Sequence, residues 1–443
     1  MGQLFGTDGI RGVANVDLKP TMAYALGRAT AKRLAEPGAA IVVGQDTRRS
    51  GDMFVAAIVA GATSLGVDVH VVGVVPTPAL AYLTRSGDYR AGIMVSASHN
   101  PADDNGLKVL DADGLKLDDA IEDELEALIW REGELGGVGN ATLGRRIDAA
   151  DTIDRYLDHR RALAGAIDAG GLHIVLDGAN GSGGAAGREI LAATGARVEA
   201  INVEPDGINI NVESGATSPG ALARAVVERA ADVGFALDGD ADRLIAVDGQ
   251  GRIVDGDQVL GILALERLER DALPGGLVVS ILSNGGLQAA VEAAGGEVVR
   301  TPVGDKYILE GMQVAGAMLG GEKSGHVIIL EHTTSGDGIV TALEVLRVMT
   351  TRGAPLAKLA AAIPLLPQQQ RAVKARHKDQ WEGDSKLRRA IADASARLGD
   401  SGRVLVRPSG TEPALRVMVE GPDEALVTEL ADALATLAGE RLN

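Results

Sequence analysis

Three aspartates at alternate positions form the strongest chemical signal in this sequence. Asp238, Asp240 and Asp242 stand in the segment "ALDGDADRLIAVD", with apolar residues on both sides. Carboxylates this close repel one another unless a cation lies between them, and hard oxygen ligands favour magnesium or calcium. An EF-hand loop would need Gly at its sixth position and Glu at its twelfth, where this chain has Arg243 and Gly249. The pattern predicts a Mg²⁺ site at a strand end, completed by a phosphate oxygen, with a solvated acidic turn as the alternative.

Two serines follow an apolar run in "GIMVSASHNPADDNGLKV" (92–109). A serine hydrolase would show the elbow G-x-S-x-G, which is absent around Ser96 and Ser98. A hydroxyl near a metal site, with His99 and Lys108 close in sequence, suits phosphoryl transfer, in which the serine carries the phosphoryl group. Spacing alone does not choose between the two serines.

The segment "RPSGTEPALR" is a candidate phosphate cradle. It contains Arg407, Ser409, Gly410, Thr411 and Arg416, and backbone N–H groups around a glycine together with hydroxyls and guanidiniums bind phosphate well. An ordinary hairpin turn remains an equal alternative.

The segment "LGGEKSGHVIIL" places Glu322, Ser324 and His326 at alternate positions. In an extended loop all three would point the same way, and their chemistry suits sugar hydroxyls. A bulge or solvated turn is the alternative.

Three further segments carry weaker signals. Arg11 lies between glycines near the N-terminus, and Lys306 follows a Gly-Asp turn. The segment "GQDTRRSG" (44–51) contains two arginines after an apolar run, and we interpret it as a solvated turn.

Composition narrows the class of protein. The 443-residue length predicts three or four domains. A net charge of −18 and an aromatic content of 2% argue against a nucleic-acid partner. The apolar runs are too short for a membrane span, and the first residues do not resemble a secretory signal. Without cysteine, carboxylates, histidines and hydroxyls must do any chemistry. We expect a cytoplasmic protein whose anionic substrate meets local positive groups.

A repeated layout predicts the fold. Three segments, beginning near residues 39, 172 and 276, each read as an apolar strand, a polar turn, an alanine-rich helix and a second strand. These βαβ units predict three related α/β domains with parallel or mixed sheets. One large doubly wound sheet is the alternative.

The C-terminal segment departs from this layout, since it reads as two strands and an amphipathic helix, which predicts a smaller α+β domain. The polar interval 367–384 is the best linker candidate. We expect domains at 1–148, 149–252, 253–366 and 367–443.

Five motifs, "GTDGIRG", "SASHNPADDNGLKV", "DGDADR", "GEKSGH" and "RPSGTEP", occur in this order between residue 4 and about residue 421. In this order they resemble the α-D-phosphohexomutase superfamily, and most closely its bacterial amino-sugar mutases. The resemblance implies four domains around a central cleft, with phosphoserine, metal-binding, sugar-binding and phosphate-binding roles in chain order.

The resemblance also implies a role for each site residue. Ser98 would carry the phosphoryl group and, with the three aspartates, bind Mg²⁺. The expected sugar ligands are Glu322, Ser324 and His326. The non-reacting phosphate would be held by Arg407, Ser409, Gly410, Thr411 and Arg416. Around the transferred phosphoryl group would lie Arg11, His99, Lys108 and Arg243, with Lys108 a candidate acid/base.

The implied reaction interconverts glucosamine 6-phosphate and glucosamine 1-phosphate through a bisphosphorylated sugar. A mutase of neutral sugar phosphates, a metal-dependent phosphatase and a non-catalytic phosphosugar-binding regulator are the alternatives. One departure bears on the substrate: Lys323 stands where the amino-sugar enzymes more usually have Gln. The expected partner is the phosphosugar, and the number of chains is left open, with a homodimer as one expectation.

Overall fold

The computed structural model describes residues 4–6, 8–409 and 413–443. The first sheet has six strands in the order β1-β5-β4-β2-β3-β6. Its strands are β1 (Ile10–Val13), β2 (Ala40–Gln45), β3 (Asp68–Val74), β4 (Tyr89–Val95), β5 (Asp104–Leu110) and β6 (Arg146–Asp148). The helices of this region are α1 (Pro20–Leu34), α2 (Gly51–Thr63), α3 (Thr77–Ser86) and α4 (Asp119–Trp130).

The centre of this sheet forms because its strands are apolar on both faces. In β2, Ile41, Val42 and Val43 are all fully buried, as expected for a strand covered on both sides. Strands β2 and β3 are parallel and joined by α2, so the first βαβ prediction is confirmed. Strand β5 runs antiparallel to β4, which makes the sheet mixed and brings the loop between them, residues 96–103, to the carboxyl end of β4.

A second sheet follows, with the order β11-β10-β9-β7-β8. Its strands are β7 (His173–Asp177), β8 (Arg197–Ile201), β9 (Val233–Leu237), β10 (Leu244–Asp248) and β11 (Ile253–Val254), and its helices are α5 (Asp154–Ala164), α6 (Gly184–Ala192) and α7 (Gly220–Glu228). Strands β7 and β8 are parallel, which confirms the second βαβ prediction. Strands β9 and β10 are antiparallel, and the tight loop between them carries the three aspartates.

The third sheet has the order β13-β12-β14-β15. It comprises β12 (Leu277–Ser280), β13 (Val298–Thr301), β14 (Leu319–Gly321) and β15 (Val327–Ile329), and this stretch of chain contains α8 (Gly256–Glu269), α9 (Gly285–Ala293), α10 (Asp305–Ala315), α11 (Gly338–Arg352) and α12 (Leu356–Ala360). Strands β12 and β13 are parallel with α9 between them in sequence, as predicted. Because the three sheets are separate, the single doubly wound sheet is wrong.

The chain divides into two compact units. The first comprises residues 1–282 and 294–362, and the second comprises 283–293 and 363–443. Helix α9 therefore belongs to the second unit although its flanking strands belong to the first.

The second unit contains a three-stranded antiparallel sheet in the order β16-β18-β17. Its elements are β16 (Gln368–Lys374), β17 (Arg403–Pro408), β18 (Ala414–Glu420), α13 (Ser385–Leu398) and α14 (Glu424–Leu442). The strand-strand-helix prediction for its end is confirmed. The linker prediction for the start of 367–384 is wrong, since "QQQRAVK" is β16: its polar side chains suit an edge strand, which needs only one neighbour. Among the described residues no helix has the length and apolar character needed to cross a membrane.

Candidate active site

Ser98 lies three residues beyond Val95, the last residue of β4. Its side chain is fully buried, and its Oγ donates a hydrogen bond of 2.5 Å to Oδ2 of Asp238. Nδ1 of His99 lies 3.3 Å from the same Oγ. The Ser98 hydroxyl therefore faces the aspartate loop of the neighbouring sheet, as the phosphoryl-transfer interpretation requires.

Ser96 has a different environment. Its Oγ donates to Oδ2 of Asp46 at 2.6 Å and accepts the backbone N–H of Ser98 at 2.9 Å. The Ser96 hydroxyl is therefore already engaged in two hydrogen bonds within the first domain. The geometry favours Ser98 over Ser96 as the phosphate carrier.

The three aspartates converge in the loop between β9 and β10. Each offers a carboxylate oxygen within 4.8 Å of the others, and all three are buried. Burial and the charges of Asp242 and Asp240 raise the pKa of Asp238 well above its usual value. One oxygen each of Asp240 and Asp242 has no hydrogen-bond partner. Buried carboxylate oxygens without partners are costly, so this donor set fits a divalent metal ion.

Lys108, on β5, supplies positive charge beside the aspartates. Its Nζ lies 2.9 Å from Asp240 Oδ2, 3.7 Å from Asp242 Oδ2 and 3.2 Å from Asp8 Oδ2. Burial opposes the charge on Lys108, but the carboxylates outweigh it and raise its pKa. The side chain is thus a positively charged ammonium beside the aspartates. Thr77 Oγ1 donates to Asp240 Oδ2 at 2.6 Å and fixes that carboxylate from the other side.

Two arginines lie beside the serine and aspartate loops. Arg11, on β1, pairs with Asp8 and donates to Oδ1 of Asn100 at 3.3 Å. Arg243 lies 3.7 Å from Asp242 through its Nε, and its backbone N–H donates to Asp238 Oδ1. The structure therefore brings these predicted residues to the serine and aspartate loops.

His99 is held neutral in this environment. Burial, followed by the positive charges of Arg243 and Arg11, lowers its pKa to about 3. A neutral imidazole can exchange hydrogen bonds with the Ser98 hydroxyl without adding charge.

Residues 322–326 form a tight hairpin turn between β14 and β15, not the extended loop assumed in the alternation argument. Glu322 N–H donates to His326 O, and Gly325 N–H donates to Glu322 O. Ser324 is exposed at the tip, whereas His326 is buried. The three side chains consequently do not point one way, and the expectation of a shared direction is wrong.

The hairpin nevertheless adjoins the aspartate loop. Arg243 and His326 form an antiparallel bridge, and Leu244 N–H donates to Gly325 O at 3.0 Å. Glu322 Oε1 accepts the backbone N–H of Gly304 at 3.1 Å. Nζ of Lys323 lies 3.9 Å from Oδ2 of Asp255, so its charge has a carboxylate beside it.

Asp8, Lys116 and Asp305 were not predicted from the sequence. Nζ of Lys116 contacts Asp8 Oδ1 and lies 2.5 Å from Asp305 Oδ2. Asp305 Oδ2 is also 3.6 Å from His326 Nε2. These contacts form a line of alternating charges from Lys108 through Asp8, Lys116 and Asp305 to the hairpin at 322–326. Lys306, by contrast, has its Nζ 2.5 Å from Asp119 on α4.

The predicted phosphate cradle lies in the second compact unit. Arg407 on β17 and Arg416 on β18 are directly opposite each other in the register. Like charges at this spacing are unfavourable, so the pair suits an anion between the guanidiniums. Ser409 is buried and its backbone carbonyl accepts a hydrogen bond from Lys378. The predicted Gly410 and Thr411 lie outside the described residues.

Profiles of one known protein family match successive parts of this chain. Four family profiles of phosphoglucomutase/phosphomannomutase match in chain order, three for alpha/beta/alpha domains and one for the C-terminal domain. They cover residues 2–135 (domain I), 154–251 (domain II), 255–365 (domain III) and 370–437 (C-terminal domain).

Curated relatives narrow the match. The phosphoglucosamine mutase of Moorella thermoacetica is 49% identical over 442 residues, covering 99% of each chain. That of Mycolicibacterium paratuberculosis is 47% identical, with 98% of each chain covered. The chain belongs to the phosphoglucosamine mutase branch of the phosphoglucomutase/phosphomannomutase family. This agrees with the resemblance carried by the five sequence motifs.

Solved structures share the fold. A phosphoglucomutase/phosphomannomutase family protein from Burkholderia thailandensis superposes with a TM-score of 0.83 at 26% identity, covering 99% of this chain and 98% of the other. The Aspergillus fumigatus N-acetylphosphoglucosamine mutase superposes with a TM-score of 0.72 at 21% identity, covering 99% and 96%. The three mixed α/β sheets and the small C-terminal sheet are therefore the hexomutase fold.

Proposed function

We propose that this enzyme interconverts glucosamine 6-phosphate and glucosamine 1-phosphate, with Ser98 as the phosphate carrier. The main support is the hydrogen bond of 2.5 Å from the Ser98 hydroxyl to Asp238, beside two buried carboxylate oxygens, one on Asp240 and one on Asp242, that have no hydrogen-bond partner. A carrier oxygen next to a cation site suits phosphoryl transfer, because a bound divalent cation neutralises charge on the phosphoryl oxygens.

The proposed reaction has two balanced transfers. In the first, the bond between phosphorus and Oγ of phosphorylated Ser98 breaks and phosphorus bonds to O1 of the sugar, so that O1 loses a proton and Oγ gains one. In the second, Oγ loses that proton and attacks the phosphorus at position 6. The bond from this phosphorus to O6 breaks, O6 takes up a proton, and phosphoserine is restored. Lys108 holds a proton at Nζ beside the aspartates and is the proposed donor to the departing oxygen.

The remaining predicted residues are proposed to grip the sugar phosphate. Arg407 and Arg416 suit the non-reacting phosphate because their cross-strand pairing concentrates positive charge. We assign the same role to Ser409, Gly410 and Thr411. Glu322, Ser324 and His326 are the proposed ligands of the sugar hydroxyls or amine.

The proposal extends to the metal and the setting of the enzyme. An all-carboxylate set completed by a phosphate oxygen favours Mg²⁺, held by Asp238, Asp240, Asp242 and the phosphorylated Ser98. A cytoplasmic location and a homodimer stay predictions, as do the four domain boundaries.

Intact-mass measurement of the purified enzyme tests the carrier. We expect a species about 80 Da heavier than the chain, absent from Ser98→Ala, together with loss of turnover in that variant. A phosphate mapped to Ser96 would overturn the assignment.

Substrate comparison tests the reaction. Turnover of glucosamine 6-phosphate should exceed that of mannose and glucose 1-phosphates by at least about tenfold. A preference for the neutral sugars, or release of inorganic phosphate as the main product, would contradict the proposed function.

A further inference from the structure

We infer that residues 46–50, "DTRRS", form a bracket that positions the phosphate carrier, with Arg48 as its central positioning residue. This segment was interpreted from the sequence as a solvated turn, and that interpretation is wrong for Arg48, whose side chain is completely buried. The inference rests on the proposed function, because it concerns how Ser98 is held for phosphoryl transfer.

The Arg48 side chain makes several hydrogen bonds to the backbone of the loop that carries Ser98. Its Nε donates to Asp46 Oδ2 at 2.9 Å, forming a buried ion pair. Its two terminal nitrogens donate to backbone carbonyls of the loop: Ser98 at 3.0 Å, Asn100 at 2.8 Å, Asp104 at 2.9 Å, and also Pro101. Only a planar guanidinium presents five donors in a fixed fork, so no other side chain can satisfy these acceptors together.

The backbone of Ser98 is fixed on both sides in an unusual conformation. Its φ is 50°, in the left-handed region that is unfavourable for a residue with a Cβ. Ser96 Oγ holds the Ser98 N–H at 2.9 Å. Arg48 and Asn211 hold the Ser98 carbonyl at 3.0 and 2.9 Å. If these contacts were lost, the backbone would relax and its Oγ would move away from Asp238.

The outer part of the bracket contacts the domain that carries the aspartates. Thr47 Oγ1 donates to Asn180 O at 2.7 Å, and Arg49 N–H donates to Gly207 O at 2.9 Å. Asn211, which reaches the Ser98 carbonyl, belongs to the same stretch. The bracket therefore joins the serine loop and the second sheet's domain, and sets the distance between the carrier oxygen and the metal loop.

Arg48→Lys tests the inference, because it keeps the charge but removes the fork. We expect kcat to fall about 100-fold, the effect of a misplacement on the order of 1 Å, while KM for glucosamine 6-phosphate changes less than about threefold. The ³¹P resonance of the phosphoserine should also respond less to added Mg²⁺ than in the wild type. Arg49→Lys is the matched control: the Arg49 side chain is exposed, and its bond to Gly207 is made by the backbone N–H, which lysine keeps. This variant should retain the wild-type kcat and ³¹P response.

Ser96→Ala is the second variant, should Arg48→Lys fail to fold. It removes a single hydroxyl that holds the Ser98 N–H, and we expect kcat to fall about tenfold at unchanged KM. A wild-type enzyme with phosphoserine and turnover, beside Arg48→Lys and Ser96→Ala variants that match Arg49→Lys, would overturn this inference alone. A wild-type chain lacking both phosphoserine and turnover would overturn the proposed function and the inference with it.

Discussion

Nζ of Lys108 lies 2.9 Å from Oδ2 of Asp240, and both side chains are buried. The ammonium occupies the edge of the aspartate cluster, where its charge offsets part of the repulsion among the carboxylates. Its charge therefore opposes the binding of any cation in the cluster.

Replacement of Lys108 by methionine should change metal binding and turnover in opposite directions. Without the ammonium, we expect Mg²⁺ to bind roughly tenfold more tightly or better, while turnover falls about 100-fold or more because a stabilising charge is lost. Calorimetric Mg²⁺ titration and steady-state kinetics check the two directions. Lys358→Met, at an exposed position, is the control, and weaker Mg²⁺ binding by Lys108→Met would contradict this account.

Gly239 should not tolerate a side chain. A Cβ there would lie 2.6 Å from the carbonyl oxygen of Ser98 and 2.7 Å from Cδ1 of Ile210. Gly239→Ala should push the aspartate loop away from the carrier serine and lower turnover about 100-fold. Gly133→Ala, where nothing lies within 4 Å of the added Cβ, should leave turnover unchanged. Equal activities of the two variants would count against this packing argument.

Lys323 should have little influence on substrate choice while Asp255 is ionised. Its charge lies 3.9 Å from the Asp255 carboxylate, so Lys323→Gln should change KM for glucosamine 6-phosphate less than about threefold. Asp255→Asn can still cap α8, a role that Asn fills well, but it removes the carboxylate. It should raise KM for glucosamine 6-phosphate more than KM for glucose 6-phosphate, because the substrate ammonium then meets a lysine charge that Asp255 no longer offsets. KM values for both sugars in both variants provide the measurement, and a large effect of Lys323→Gln alone would contradict the pairing.

Glu344 should make stability depend on pH. Burial opposes its charge, but His332, 3.8 Å away, and the hydrogen bonds from Arg347 outweigh burial and lower the pKa of Glu344 to about 2. Because the folded pKa lies below the ordinary value, the stabilisation is complete above about pH 4.5 and is lost as the pH falls toward 2. Glu344→Gln should therefore lower the free energy of unfolding on the order of 2 kcal/mol at pH 7 and less at pH 3.5.

Urea unfolding at the two pH values measures this difference. The control is Glu269→Gln, because Glu269 is 62% exposed in its ion pair with Arg352, and it should cost less than about 1 kcal/mol at either pH. A Glu344→Gln effect that does not change between pH 7 and pH 3.5 would contradict the predicted linkage.

The periodicity of the sequence predicted the helices and strands more completely than it predicted the contacts between side chains. Apolar runs such as "AIVVGQ" identified the parallel strands because burial on both faces leaves a continuous signal. Strand β16 was missed because an edge strand can be largely polar. The turn 322–326 was mistaken for an extended loop because alternation does not distinguish a hairpin tip from a strand.

The parts of the site that could not be predicted from the sequence depend on contacts between distant segments of the chain. Arg48 and Arg49 are adjacent and identical in type, yet one is buried and the other exposed, because Arg48 reaches carbonyls of the distant serine loop. Asp8, Lys116 and Asp305 come from three distant parts of the chain, so their ion pairs depend on how the first and third sheets' domains pack together. Asp46, two residues before Arg48, offered a signal of a local ion pair.

Because helix α9 belongs to it, the C-terminal unit is built from two separate segments of the chain. Asn284 Nδ2 donates to Leu366 O, and its Oδ1 accepts the N–H of Leu366. Gly285 N–H donates to Glu420 Oε1 at 2.9 Å. A fragment that starts at residue 363 would lose the contacts of Asn284 with the loop before β16 and of Gly285 with β18. The C-terminal unit therefore cannot be exchanged between related enzymes as residues 363–443 alone. Such an exchange must include residues 283–293.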